Sequence, residues 1–215
     1  MKKDLERAFA LKLELQGVSS GDVYTSIDSV ARAVERERPV VSIHPAPDGT
    51  VTIMFSDIED STVLTERLGD QAWQQLLNKH NALIREQLQA HGGYEVKTMG
   101  DGFMVAFQSA KKGLDCAIAI QRAFDGHNAA DGEHVKVRIG LHAGEMIKDG
   151  DDFYGKNVIM ASRVAGKAKG GEILVSALLR QLVESSVSAA MFGEPREVEL
   201  KGLAGGHVVY AVTAG

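Results

Sequence analysis

Two short stretches of the chain decide the predicted fold, and both carry an aspartate at the end of a strand. They read Val51-Thr52-Ile53-Met54-Phe55-Ser56-Asp57 and Glu95-Val96-Lys97-Thr98-Met99-Gly100-Asp101-Gly102-Phe103. The first is apolar and begins with β-branched residues, so it predicts a buried strand, although its alternation is imperfect. The second predicts a hairpin from Tyr94 to Phe107, because glycines on both sides of an aspartate are typical of a tight turn.

Asp57 and Asp101 each stand where a predicted strand stops, and adjacent strands would place the two carboxylates side by side. Carboxylates held that close repel each other unless a cation lies between them. Hard oxygen ligands on rigid elements suit Mg²⁺ or Mn²⁺. The pair therefore predicts a divalent metal site.

The residues after the first strand predict a helix start that faces this metal site. They are Glu59, Asp60, Ser61 and Thr62, with Asp60 or Ser61 as the N-cap. Backbone N–H groups at the start of a helix bind phosphate, and a neighbouring metal would suit a triphosphate. An ordinary capped helix is the alternative, but the nearby Asp101 favours the phosphate cradle.

Composition restricts the class of protein. The chain has 215 residues and a net charge of −5, which argues against a nucleic-acid-binding surface. The single cysteine, Cys116, excludes a disulfide framework and a cysteine-rich metal site, and its apolar helical surroundings predict a buried thiol. No apolar stretch reaches the length of a membrane span, and the start has no signal-peptide core. We expect a cytoplasmic location, either for this chain alone or for a larger parent protein.

Residues 1–48 are predicted to form a helical appendage and connector before the main domain at 49–215. Apolar spacing predicts one helix through Leu5, Phe9 and Leu13 and a second through Val23, Ile27, Val30 and Val34. Pro39, Pro45 and Pro47 indicate the connector. Two interpretations of the helices stay open: they pack on their own domain, or they pair two chains.

Beyond the hairpin, strands and helices alternate unevenly, which predicts an α+β fold. The run from Val135 to Leu141 alternates cleanly, so Arg138 points away from the core-facing residues of that strand. A solvated strand face is one interpretation of Arg138, and a ligand-binding role is the other.

Six motifs together resemble the catalytic domain of class III nucleotidyl cyclases. The match extends over roughly residues 50 to 213, and its order and spacing are those of the family; the motifs are Phe55-Ser56-Asp57-Ile58, Lys97-Thr98-Met99-Gly100-Asp101-Gly102, Arg138-Ile139-Gly140-Leu141-His142-Ala143-Gly144, Phe153-Tyr154-Gly155, Ala161-Ser162-Arg163 and Leu200-Lys201-Gly202. The resemblance implies a ferredoxin-like βαββαβ core. It also implies that the ribose 3′-hydroxyl of a nucleoside triphosphate attacks the α-phosphate and releases pyrophosphate.

The resemblance assigns roles to the site residues. Asp57 and Asp101 would hold two divalent cations, Mg²⁺ or Mn²⁺, with the Ile58 carbonyl as a further ligand. Arg163 would stabilise the transition state. Arg138 and Lys201 would bind the triphosphate.

Lys97 and Asp152 match the pair that reads adenine in this family. A lysine donates to adenine N1 and an aspartate accepts from the exocyclic amine, whereas guanine presents the opposite pattern. ATP is therefore the expected substrate and cyclic AMP the expected product. A guanylyl cyclase is the alternative within enzymes.

Ile159 stands where the family usually has an asparagine that positions the ribose, one helical turn before Arg163. Asn157 is the candidate substitute. This departure keeps a third interpretation open, a weakly active nucleotide-binding module with a regulatory role. The motif of the related dinucleotide cyclases does not occur in the sequence.

In the family, each site lies between two subunits. One subunit supplies the metal aspartates and the phosphate cradle, and the other supplies the lysine, aspartate and arginine group together with the residue that matches Lys201. This chain carries both sets, so the resemblance implies a homodimer with two equivalent sites.

Overall fold

The computed structural model describes residues 25–37, 50–130, 133–145, 155–187 and 191–213. Outside the described residues lie the first predicted helix, the connector and Asp152. The sequence also predicts a short hairpin from Gly144 to Asp152, and its part beyond residue 145 lies outside them as well. Among the described helices, none is long and apolar enough to cross a membrane.

A seven-stranded sheet forms the centre of the domain, in the order β2-β3-β1-β4-β5-β7-β6. Its strands are β1 Thr50–Ile58, β2 Tyr94–Met99, β3 Gly102–Phe107, β4 Val137–Glu145, β5 Ile173–Ser176, β6 Arg196–Glu199 and β7 Gly206–Val212. Neighbouring strands run antiparallel except β4 and β5, which are parallel.

Six helices are described, and they cover both faces of the sheet. They are α1 Ser26–Glu37, α2 Ser61–Leu68, α3 Asp70–His91, α4 Ala110–Ala130, α5 Gly155–Ala165 and α6 Ala177–Val183. Helices α3, α4 and α6 pack on one face with the largest apolar cluster, and α1 and α5 pack on the other with a second cluster.

Strand β1 explains the imperfect alternation of its sequence. From Val51 to Ile58 every residue is buried, because helices lie on both sides of this central strand. Met54 faces α3 and α4, whereas Phe55 faces α1 and α5. Burying an apolar side chain of this size contributes about 1.5–3 kcal/mol, so both faces carry a substantial part of the stability.

Helix α5 lies directly on the sheet because Gly140 has no side chain. A Cβ atom at this position of β4 would overlap the Cα and backbone nitrogen of Ala165. Helix α1 packs beside α5 through apolar residues with helical spacing, namely Ile27, Val30, Ala31 and Val34.

The expected α+β class and the hairpin from Tyr94 to Phe107 are confirmed. The second predicted helix packs on its own domain, and Cys116 is buried in the core. The sequence also predicts a strand near residues 187–192, and of it Phe192 makes an isolated bridge to Val212. The division of the chain between residues 48 and 49 stays a prediction.

We expect Gly140→Ala to destabilise the domain by about 2–3 kcal/mol, since the new methyl group would force α5 away from the sheet. Gly126→Ala is the matched control, because a Cβ atom at Gly126 in α4 meets nothing within 4 Å. This control should be neutral or stabilise by up to about 1 kcal/mol, as alanine favours the helix. Urea unfolding measures both, and equal free energies of unfolding for the two variants would contradict the close approach of α5.

Candidate active site

The structure places Asp57 and Asp101 next to each other at one end of the sheet. Strands β1 and β3 are paired so that Ser56 lies opposite Phe103, which puts Asp57 beside the turn that holds Asp101. Gly100 adopts a φ of 63° in this turn, a conformation that favours glycine. The two aspartates are only 1% and 4% exposed, so their charges must be balanced inside the protein.

Arg138 provides most of that balance for Asp57. The two residues are directly paired across β1 and β4, and the guanidinium binds both carboxylate oxygens, with Nε–Oδ1 and NH2–Oδ2 distances of 2.5 and 2.8 Å. The backbone N–H of Ile27 in α1 also donates to the Asp57 carboxylate. As predicted, Arg138 points away from the face of β4 that carries Val137 and Ile139.

The Asp57 carboxyl experiences opposing influences. Its pKa is raised overall: burial is the largest cause, the nearby Asp101 charge adds to the rise, and the Arg138 guanidinium opposes it without cancelling it. A bidentate guanidinium favours the ionised carboxylate. The pair is therefore an ion pair with little access to water.

Asp101 is bound by two neutral donors. The Ser26 hydroxyl donates to Oδ1, and the Ile58 N–H donates to Oδ2 at 3.0 Å. The bond from Ile58 fixes the end of β1 to the turn between β2 and β3. Donors on helix α1 and strand β1 thus orient the Asp101 carboxylate.

The donor set fits divalent cations of the kind that the sequence implies. Two buried carboxylates against one guanidinium leave a local charge of −1, and carboxylate and carbonyl oxygens are the ligands that Mg²⁺ and Mn²⁺ prefer. In the described part of the chain, no group of three or more histidine, cysteine, aspartate or glutamate side chains converges on a metal site. Asp57, Asp101 and the Ile58 carbonyl would therefore need substrate or water oxygens to complete the coordination.

The start of α2 differs from the prediction in its side chains. Asp60 is the N-cap residue in a left-handed conformation, with φ 54° and ψ 33°, and its side chain makes no capping hydrogen bond. The Glu59 carboxylate accepts the Gly170 N–H at 2.7 Å and is thereby held on the loop before β5. The first bond within the helix runs from the Leu64 N–H to the Asp60 carbonyl. The N–H groups of Ser61 and Thr62 precede it, so the backbone is the part of this segment suited to phosphate.

Arg163 lies half-buried on α5 between α1 and the chain after β6. Its NH1 is 2.5 Å from Asp28 Oδ1, and its Nε donates to the Lys201 carbonyl at 3.0 Å. The structure thus brings together Arg163 and Lys201, which are 38 residues apart in sequence. The Lys201 side chain is exposed.

Lys97 lies on the same face of the sheet as α1. It is paired with Met104, which contacts the α1 cluster, and directly paired residues share a face. The register shifts between Glu95 and Lys97, so a bulge precedes the lysine. Its predicted partner in reading the base, Asp152, lies outside the described residues, so their proximity stays a prediction.

Asn157 is turned towards β4 rather than towards Arg163. Its amide group occupies the space beside Gly144, where a Cβ atom would overlap it, and it hydrogen-bonds His142. His142 Nδ1 also lies 2.8 Å from Ser176 Oγ, so the histidine has partners that the sequence did not reveal. The ribose-positioning role of Asn157 stays a prediction. In this structure its side chain hydrogen-bonds the buried His142.

Sequence reasoning missed the contribution of α1 to this site. Ser26, Ile27 and Asp28 bind Asp101, Asp57 and Arg163 respectively. The available signal was two polar residues beside the apolar stripe, but polar residues at a helix start are common as caps. Their long separation in sequence from the site hid the contact.

Comparisons with known proteins agree with this geometry. The family model described as the adenylate and guanylate cyclase catalytic domain matches residues 43–214, so the chain belongs to that family. An adenylate cyclase of Podospora anserina is 36% identical over 157 residues, which covers 61% of this chain and 7% of that protein. One of Mycosarcoma maydis is 34% identical over 186 residues, covering 71% of this chain and 7% of that protein. The chain thus spans only a small part of these relatives.

A solved structure extends the similarity to the fold. The guanylate cyclase domain of RhGC from Catenaria anguillulae, in complex with GTP, has a TM-score of 0.64 and 27% identity. The match covers 77% of this chain and 97% of that one. The expected class III cyclase fold is therefore confirmed.

The buried His142 predicts a pH dependence of stability. Burial lowers its pKa to about 4, against an opposing hydrogen bond with Asn157. An unfolded histidine binds a proton near pH 6.5, so the free energy of unfolding should fall by about 1.4 kcal/mol for each pH unit below that value until about pH 4. His80, whose pKa burial also lowers, contributes in the same direction.

We expect His142→Gln to flatten this decline when urea unfolding is measured between pH 7 and pH 5. Replacement of the exposed His134 by glutamine controls for the loss of a histidine. An unchanged pH slope in His142→Gln would contradict the assignment of His142 as a buried neutral group.

Proposed function

We propose that this chain is an adenylyl cyclase that converts ATP into 3′,5′-cyclic AMP and pyrophosphate. The observation that carries the proposal is the pair of buried aspartates, Asp57 and Asp101, beside the start of α2. Such a pair suits a polyphosphate substrate that brings its own metal ions. The fungal relatives named adenylate cyclases support the choice of reaction.

Asp57, Asp101 and the Ile58 carbonyl would hold two divalent cations, Mg²⁺ or Mn²⁺. Bound there, these ions would supply Lewis-acid activation of the ribose 3′-hydroxyl and neutralise charge on the phosphates. The rigid placement of both carboxylates at strand ends keeps the oxygen donors in position before substrate arrives.

Cationic side chains of the chain stabilise the negative charge that develops on the phosphates. Arg163 is the transition-state residue, and its neighbour Lys201 binds the triphosphate. Arg138 would exchange its contact with Asp57 for the triphosphate when cations reach the carboxylates. The backbone N–H groups at the start of α2 bind phosphate oxygens without further charge.

Adenine is the proposed base because Lys97 and Asp152 supply a donor and an acceptor in the order that adenine needs. Lys97 lies on the face of the sheet that carries Asp57 and Arg138. A guanylyl cyclase is the second candidate, since the Catenaria structure is a guanylate cyclase domain with bound GTP.

A weakly active regulatory module is a further candidate, and one observation favours it. Ile159 stands one turn before Arg163, and both residues line a groove between α1 and α5. Asn157 does not line this groove and hydrogen-bonds His142 instead. A missing ribose contact would lower turnover without preventing nucleotide binding.

The decisive experiment incubates the purified chain with ATP or GTP and either Mn²⁺ or Mg²⁺ and measures the cyclic nucleotide. We expect cyclic AMP from ATP and a loss of about a thousandfold in Asp101→Asn, since metal stabilisation supplies several kcal/mol. Asp125→Asn removes an exposed aspartate of α4 and should retain wild-type activity. Cyclic GMP as the main product would favour the guanylyl candidate.

Asp57→Asn serves as a second variant of the metal site. It leaves the Arg138 guanidinium without its carboxylate, so its fold must be checked, as breaking a buried pair typically costs about 3–5 kcal/mol. Near-native turnover in either aspartate variant would refute the metal assignment.

A shared site predicts rescue between two inactive variants. Asp101→Asn and Arg163→Ala lie in different half-sets, so a heterodimer of the two would contain one doubly damaged site and one intact site. Random pairing makes about half of the dimers heterodimers, so co-expression should restore about a quarter of the wild-type activity. Size-exclusion chromatography must show dimers, and a mixture of such dimers that stays inactive would refute the shared site.

A further inference from the structure

Three consecutive residues at the start of α1 bind three side chains that this chain would contribute to the two shared active sites, one from each half-set and a second from the aspartate half-set. The Ser26 hydroxyl donates to Asp101, the Ile27 N–H donates to Asp57, and the Asp28 carboxylate binds Arg163. We propose that α1 is an autoinhibitory segment that must leave the site before metal and nucleotide bind. This inference rests on the proposed function, because it concerns how metal and nucleotide gain access to the proposed site.

The contact is close rather than incidental. A Cβ atom at Gly102 would lie 2.9 Å from the backbone carbon and oxygen of Ser26, so the absence of a side chain in this turn admits the helix. The Gly-Asp-Gly turn thus receives α1 as well as holding Asp101. Behind this contact, Ile27, Val30 and Val34 anchor the helix on the sheet with almost no exposed surface.

Donors from α1, β1 and β4 together occupy the carboxylate oxygens that a cation would need. Both Asp57 oxygens are bound by Arg138, and the Asp101 oxygens are bound by Ser26 and by the Ile58 N–H. The start of a helix carries partial positive charge, which favours nearby carboxylates. The N-terminus of α1 thereby substitutes for part of the charge that a divalent ion would supply.

The Asp28 carboxylate forms an ion pair with the guanidinium of Arg163, the group proposed to bind a phosphoryl oxygen. Ser26 and Ile27 thus bind the carboxylates in place of a cation, and Asp28 binds Arg163 in place of a phosphate. A shared site takes Asp57 and Asp101 from one chain and Arg163 from the other, so the α1 helix of one chain binds side chains of both sites. At each site, metal–nucleotide and α1 compete for the same side chains, and binding of one excludes the other.

The polar contacts of α1 with the site are weak enough for the helix to be released. The Arg163–Asp28 pair is 30% and 25% exposed, so water screens it, and exposed pairs contribute little to stability. The apolar residues provide most of the attachment. Substitutions at Ser26 or Asp28 should therefore shift the balance between closed and open states while the fold persists.

Asp28→Asn tests the anionic part of the contact. Asp28 Oδ2 accepts the Thr25 hydroxyl and the Asp28 N–H donates to Thr25 Oγ1, an arrangement that an asparagine preserves at the helix start. The variant removes the charge that holds Arg163. Ser26→Ala removes the donor to Asp101. Glu35→Gln, two turns further along the same helix and exposed, is the matched control for the loss of a carboxylate.

The probe is Mn²⁺ with 3′-deoxy-ATP, which lacks the attacking hydroxyl and so cannot react. Isothermal titration of the full chain should show about threefold to tenfold tighter binding for Asp28→Asn and for Ser26→Ala, with wild-type affinity for Glu35→Gln. Hydrogen exchange gives a readout that does not depend on turnover. Saturating probe should raise the exchange of the α1 amides in the wild type.

Persistent protection of the α1 amides at saturating probe would overturn the inference. So would unchanged or weaker binding by both variants, or a double variant, Ser26→Ala with Asp28→Asn, that does not bind the probe. The proposed function is tested separately, by formation of the cyclic nucleotide. Cyclic AMP formation with α1 still protected would support the proposed function and refute the autoinhibition. Displacement of α1 without any cyclic nucleotide would support the autoinhibition and refute the proposed function.

Discussion

Two like charges buried side by side are the constraint on which the rest of this structure depends. Asp57 and Asp101 are almost inaccessible to water, and an unbalanced carboxylate in such a place is costly. The chain balances them with one guanidinium and several neutral donors, drawn from α1, β1 and β4. That arrangement holds the oxygens in place and leaves a residual negative charge for a cation to neutralise.

The sheet explains how such a site is kept rigid. Helices cover both faces of β1, so the strand that ends in Asp57 is fixed by packing on each side. The register between β1 and β4 places Arg138 directly opposite Asp57, where its guanidinium binds both carboxylate oxygens. Gly140 lets α5 lie against the sheet, and this closeness positions Arg163. The positions of Asp57, Arg138 and Arg163 are thus determined by the register of β1 with β4 and by the approach of α5 to the sheet.

The position of α1 is the basis for the regulation that we propose. The helix binds Asp57, Asp101 and Arg163, so these charges are balanced in the observed conformation. In the proposed opening, metal and nucleotide would supply the compensation that α1 withdraws. The stability of the closed form and access to the site are therefore coupled through the same carboxylates and Arg163.

The sequence by itself determined the elements and much of the candidate site. Turn chemistry at Gly100-Asp101-Gly102, the apolar run before Asp57 and the alternation around Arg138 are local signals, and local signals are readable from spacing and residue type. The family could be inferred from the six motifs for the same reason, since each motif is a short local stretch of sequence. Tertiary structure alone decided which side chains meet: the Arg138–Asp57 pair, the binding of Asn157 to His142, the turning of Glu59 to Gly170 and the docking of α1 on the site. These contacts join residues far apart in the chain, and their geometry depends on register and helix packing that no local pattern encodes.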